Sequence, residues 1–167
     1  MTIATGAKPK KDLVVIITLM FDAPRELVFQ AFNDPKHIVR FWGPNGFTST
    51  VRELDPRPGG AFRIDMRAPD GATYLCEGVC REIIVPQRIV LSGDPDCGHP
   101  CGGGLPPGAL VAITFTEHGS KTKLTIQTRF ESQMGLDAAV EMGFNGSWTQ
   151  TLDRFAAELE KTLIQRF

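Results

Sequence analysis

The sequence has no apolar run close to the roughly 20 residues that a bilayer-spanning helix needs. It has no cationic excess either: 18 lysines and arginines stand against 19 aspartates and glutamates, for a net charge of -1. Nucleic-acid binding and polybasic membrane binding draw on such an excess, so no nucleic acid and no membrane partner is expected. Histidine is scarce, at three in the chain (His37, His99 and His118), and no strand-Gly-x-Ser-x-Gly elbow accompanies it. A hydrolytic triad needs a histidine held by an acid and touching a nucleophile, so no catalytic residue is assigned. Gly102-Gly103-Gly104 opens no helix and makes a poor phosphate cradle. Neither a cofactor nor a metal is assigned.

What is present fits one folded unit. The 167 residues are 42% hydrophobic, enough for a sizeable core and too apolar for disorder. Lys8, Lys10 and Lys11 before the apolar stretch Leu13 to Phe21 mimic a secretory leader. That stretch ends in Phe21-Asp22-Ala23-Pro24 rather than a small-residue cleavage site. Its β-branched content suits a buried strand, and a cytoplasmic location is expected. Residues 1–11 read as a flexible tail and 12–167 as a single domain.

The cysteines are Cys76, Cys80, Cys97 and Cys101. Four residues along a strand span about 13 Å, while a disulfide needs Cα atoms within about 7 Å. Cys76 and Cys80 therefore read as reduced core thiols. Cys97-Gly98-His99-Pro100-Cys101 carries zinc-ligand residue types, but single-residue gaps between Cys and His depart from finger spacing. A disulfide between Cys97 and Cys101 stays open at this point, and a solvated loop is the plain reading.

Period-two alternation places strands over Leu13–Phe21, Phe47–Asp55, Ala61–Arg67, Thr73–Val85, Arg88–Ser92, Ala109–Glu117 and Thr122–Phe130. Two short helices follow the first strand. Asp22 or Ala23 is expected to cap the first, and Pro35 to Arg40 forms the second. Gly93 to Gly108 is loop. A long amphipathic helix spans roughly Leu136 to Gln165, with Trp148, Leu152, Phe155, Ala156, Leu159 and Leu163 as its apolar stripe. Arg154 and Glu158 fall off that stripe, and Gly143 and Gly146 weaken its start. Short turns make the strands antiparallel. A one-faced sheet of six or seven strands and one striped helix are satisfied when the sheet curls around the helix, and the space between them becomes an apolar cavity.

The order β-α-α, six strands, α resembles the helix-grip (START-like, SRPBCC) superfamily. Within it the chain resembles the AHSA-type branch, named after the activator of heat-shock-protein ATPase. The resemblance rests on Phe21-Asp22-Ala23-Pro24, Val28-Phe29, Ala31-Phe32, Asp34-Pro35, Phe41-Trp42-Gly43-Pro44, Asp55, Arg57-Pro58-Gly59-Gly60, Asp70-Gly71, Glu77-Gly78, Pro86-Gln87-Arg88-Ile89, and Gly146 with Trp148. It covers about Leu13 to Leu163. It departs at Gly93 to Gly108, which is longer and richer in Gly, Pro and Cys than the family pattern. The resemblance implies an α+β helix-grip fold and a cavity that takes a small apolar or aromatic molecule.

The expected lining is Phe62, Ile64, Met66, Tyr74, Cys76, Phe115, Ile126, Thr128, Met142, Phe144 and Trp148, with Phe41 and Trp42 at the entrance. Phe47, Ser49, Val51, Glu53 and Asp55 share one face of an ideal strand, which would turn Glu53 toward a ligand. The alternative is that this strand bulges and both carboxylates reach water or pair with Arg57. The leading functional expectation is ligand binding without catalysis. A chaperone-associated stress-response partner, suggested by the family name, and a cyclase-like or hydrolase-like enzyme using the cavity are the rivals. A homodimer is compatible with this class.

Overall fold

The computed structural model describes residues 13–96, 99 and 104–165. Strand β1 (Val14–Phe21) leads into helices α1 (Arg25–Phe32) and α2 (Pro35–Phe41). Six strands follow: β2 (Thr48–Leu54), β3 (Ala61–Arg67), β4 (Thr73–Ile84), β5 (Arg88–Gly93), β6 (Leu110–His118) and β7 (Lys121–Arg129). Helices α3 (Gln133–Glu141) and α4 (Phe144–Gln165) complete the chain. The strands form one antiparallel sheet in the order β1-β7-β6-β5-β4-β3-β2. The chain is thus an α+β helix-grip fold, with a seven-stranded sheet against a long C-terminal helix. Among the described residues, no helix is long and apolar enough to cross a membrane.

Local chemistry explains the boundaries. Pro24 itself caps α1, where Asp22 or Ala23 was expected. Its extended backbone aims its carbonyl at the amides of Leu27 and Val28, 3.1 and 3.0 Å away, with no side-chain cap. Asp34 caps α2 by accepting from the Lys36 amide at 2.9 Å, with Pro35 in the first turn. The expected single terminal helix is two. Gly143 adopts φ +87, a conformation that ends α3 and that L side chains rarely take. Gly146 lies inside α4 and does not break it.

The concave face of the sheet meets α1, α2 and α4 over a core rich in aromatic rings. Phe155 of α4 sits 4.7 Å from Phe41, 5.2 Å from Phe21 and 5.3 Å from Phe32, centroid to centroid. Phe32 in turn lies 5.7 Å from Phe115. These rings close the space beneath the middle of α4. Phe115, Ile126, Ile64 and Cys76 are buried in this core and do not line the cleft described below, contrary to the expected lining. Phe62 packs on Trp42 at 5.4 Å and borders only a void of about 20 Å³. Thr128 is also buried, with its hydroxyl lacking a hydrogen-bond partner.

Strand β2 bulges, as the alternative reading of its sequence had it, and the placing of Glu53 at the ligand is corrected. Its pairing with β3 runs Ser49↔Met66 and Val51↔Ile64, then shifts so that Glu53 opposes Arg63 and Leu54 opposes Phe62. The extra residue reverses the alternation. Glu53 is turned to the outer face, half-exposed, 3.4 Å from Arg63 Nη1, and not toward the interior. Asp55 meets the Arg57 Nε at 2.8 Å.

Candidate functional site

A cleft of about 290 Å³ remains at one end of the molecule, between the first turns of α4 and the ends of β3 and β4. Trp42, Gly43, Pro44 and Phe47 come from the segment after α2; Met66 and Tyr74 from β3 and β4; His99 and Gly104 from the 93–108 loop. Met142, Phe144, Ser147, Trp148 and Thr151 complete the wall. Met66 and Tyr74 oppose each other across the β3–β4 ladder, which sends both side chains to the same face. Phe144, Trp148 and Thr151 recur at helical spacing, so α4 presents them together.

The walls are ring edges and faces. Trp42 and Trp148 meet edge to face at 5.4 Å, Tyr74 and His99 at 5.0 Å, and Phe47 lies 5.9 Å from Tyr74. Gly104 adopts φ +105, and a Cβ there would come within 3.2 Å of Trp148 Cζ2 and 3.6 Å of Trp42 Cζ2. Glycine is thus required both by backbone conformation and by the approach of the loop to the two indoles. No Lys, Arg, Asp or Glu occurs among the described lining residues. Burial lowers the pKa of His99 and so favours its neutral form. A second groove of similar size, beneath Pro106, Pro107 and α3, includes Met134, which is 80% exposed. Its one aromatic lining residue is Phe130, against the several rings of the first.

Of the residues expected at the site, the structure brings Trp42, Met66, Tyr74, Met142, Phe144 and Trp148 to the cleft. Phe62, Ile64, Cys76, Phe115, Ile126, Thr128 and Glu53 lie elsewhere, for the reasons given above. Cys97 and Cys101 lie outside the described residues; Cys76 and Cys80 are buried in the core.

The residue that builds the cleft without lining it is Arg154. Its guanidinium donates to the carbonyls of Arg40 at 2.9 Å, Gly43 at 2.9 Å, Pro44 at 2.9 Å and Phe47 at 3.1 Å, with Trp42 at 3.5 Å. One planar fork thereby collects the carbonyls left over at the end of α2 and in the following turn. Burial pushes its pKa down. Gln150 accepts from the Asn45 amide at 3.0 Å, and Glu158 Oε2 lies 2.8 Å from His37 Nδ1. Gln150, Arg154 and Glu158 are four residues apart, one row along α4. This polar row, of which Arg154 and Glu158 were placed off the apolar stripe from the sequence, grips α2 and the segment that carries Trp42 and Phe47. The spacing of the three was legible; their partners on residues 37–47 were not.

The sequence matches the family model described as Activator of Hsp90 ATPase homolog 1-like protein over residues 22–160. No curated protein matches it. Among solved structures it is similar to protein NE0264 from Nitrosomonas europaea, at 20% identity over 92% of this chain and 97% of that one, with a TM-score of 0.78. Protein CV1439 from Chromobacterium violaceum is 25% identical over 89% of this chain and 98% of that one, with a TM-score of 0.73. An AHSA1-like protein from Aeromonas hydrophila is 24% identical over 89% and 94%, with a TM-score of 0.67. A sheet wrapped on a terminal helix, the ordered motifs and a family match across most of the chain all agree: the protein belongs to the family of Activator of Hsp90 ATPase homolog 1-like proteins.

Proposed function

We propose that the protein binds a small apolar or aromatic molecule in the cleft between α4, the 42–47 segment and the ends of β3 and β4, without catalysing a reaction on it. The observation that carries this reading is the cleft of about 290 Å³ walled by Trp42, Phe47, Tyr74, Phe144 and Trp148. Binding energy would come from apolar burial at about 25 cal/mol per Å², less the cost of immobilising the guest. The volume is about twice that of an engineered 150 Å³ cavity that accepts benzene, so a two-ring guest suits it. Cys76 and Cys80, on one strand at a spacing too long to bridge each other, fit a reducing, cytoplasmic setting.

Thermal unfolding against a library of uncharged aromatic and aliphatic metabolites tests the reading. A ligand at 100 times its Kd contributes about 2.7 kcal/mol, which raises Tm by about 5–11 °C for a chain of this size. A library without one stabilising member, together with unchanged tryptophan emission, overturns it. A second reading, association with a chaperone, draws on the family description and on the exposed Met134, Val140 and Met142 around α3. Stimulation of a chaperone ATPase by the whole chain would favour it over the first.

A further inference from the structure

Helix α3 exposes apolar side chains where a surface helix carries polar ones. Its inner side rests on the core through the buried Ala139 and the partly buried Leu136. On its outer side Met134, Asp137 and Glu141 recur at intervals of three and four, with Val140 three residues beyond Asp137, so all four leave the helix together. Met134 is 80% and Val140 47% exposed. Nine large apolar side chains are exposed among the described residues, and Met134, Val140 and Met142 are three of them within one short stretch. Scattered singly such residues need no explanation; clustered, they mark a contact surface. The patch continues into the groove of about 290 Å³ beside Pro106, Pro107 and Phe130, which Met134 and Glu131 also line.

The charge around the patch is of one sign. From Glu131 to Asp153 the chain carries four acidic residues and no Lys or Arg. Among the described residues Glu131, Asp137 and Glu141 form no salt bridge, whereas Glu53, Asp65, Glu77 and Glu82 on the strands each meet an arginine. Asp137 accepts from Gln133 of its own helix at 2.9 Å, which leaves its charge uncompensated.

We propose that the outer side of α3 and the adjoining groove form a docking surface for a basic amphipathic segment of a partner protein. An apolar side chain of the partner enters the groove beside Met134, its apolar stripe covers Met134 and Val140, and its Lys or Arg residues pair with Glu131, Asp137 and Glu141. Methionine suits such a surface, because its unbranched, polarisable side chain adapts to what it meets. The same charge argues against other occupants. A second copy related by a twofold axis would set these carboxylates against themselves, and an anionic lipid surface or a nucleic acid would be repelled. The assignment goes beyond both readings above, since it needs neither a guest in the cleft nor a chaperone.

The probe is a synthetic peptide of leucine and lysine, with the leucines three and four apart so that one face is apolar and the other cationic. One control replaces its lysines by glutamate, the other its leucines by serine. Binding to the whole chain is followed by fluorescence anisotropy of the labelled peptides and by ¹H–¹⁵N spectra. The Leu-Lys peptide is expected to bind, to weaken about fivefold or more between low and high salt, and to move first the amide signals of residues 131–142. Each control should bind at least about tenfold more weakly. Met134→Glu, and Asp137→Lys with Glu141→Lys, should each cost about tenfold, while Glu160→Lys, the same charge change toward the other end of α4, leaves binding unaltered. If the α3 variants do not fold, the spectra of the unaltered chain decide. No binding of the Leu-Lys peptide, equal binding of the Leu-Glu peptide, or signals that move first outside 131–142 overturns the proposal. A dimer of the unaltered chain that Met134→Glu dissolves assigns the face to a second copy and also overturns it. Binding that appears only once Lys8, Lys10 and Lys11 are changed to Gln assigns the face to the chain's own first residues, with the same consequence.

Discussion

Replacing Arg154 by Met keeps the length and apolar stem of the side chain and removes the fork. Four carbonyls within 3.1 Å, those of Arg40, Gly43, Pro44 and Phe47, then lose their donor. A hydrogen bond to a charged group is worth about 1.5–3 kcal/mol. The four are not additive, since one guanidinium makes them all, and Arg154 is only partly buried, so water can replace part of the loss. The net cost expected is about 2–4 kcal/mol, or a Tm lower by about 4–16 °C. Arg154→Lys supplies one nitrogen with three donors in place of the planar fork and should recover about half of that loss. Urea unfolding with an unchanged m-value isolates the stability term. Because the lost contacts are all in one segment, amide exchange should accelerate at residues 43–47 before the strands respond. A loss below about 1 kcal/mol, or exchange that rises evenly over the whole chain, would refute the view that Arg154 organises the cleft wall.

Phe155→Ala should cost about 3–5 kcal/mol by thermal or urea unfolding, because Phe21, Phe32 and Phe41 all pack on that ring. Ligand affinity at the cleft should stay within about twofold after correction for the unfolded fraction, as Phe155 lines no part of it. Gly104→Ala forces an L side chain to φ +105 and to within 3.2 Å of Trp148. It should cost about 1–3 kcal/mol and change tryptophan emission, which fluorescence-detected unfolding reads in one experiment. For His99, burial depresses the folded-state pKa, so the unfolded chain takes up the proton first as pH falls. Stability is then unaffected by this group above the unfolded value of about 6.5 and declines as pH drops through it toward the lower folded value. Tm measured from pH 8 to pH 5 should show that decline, and His99→Gln should flatten it; an unchanged slope would remove His99 as its source.

The strand and helix order was readable because each element carries its own signal. Alternation in Phe62, Ile64 and Met66, and the spacing of Trp148, Leu152, Phe155 and Leu159, report which way a side chain leaves the backbone. The bulge in β2 was one of two open readings, and alternation alone could not choose between them. One extra residue near Arg52 sends Glu53 outward, and nothing in the local pattern distinguishes it from a regular strand. The division of the apolar residues into wall and filling was equally hidden. Trp148 and Phe155 sit on the same stripe, yet one borders the cleft and the other closes the core.

By itself, the sequence determined the elements, their order, the wet and buried faces of most strands, and the family. Those follow from contacts between residues near in the chain and from backbone geometry. Tertiary structure alone decided where space is left over, since that depends on how the volumes of Phe21, Phe32, Phe41, Phe115 and Phe155, drawn from five separate elements, add up at one place. It alone also decided that Arg154 and Glu158 find protein partners, because the carbonyls and the imidazole that meet them come from residues more than a hundred positions earlier.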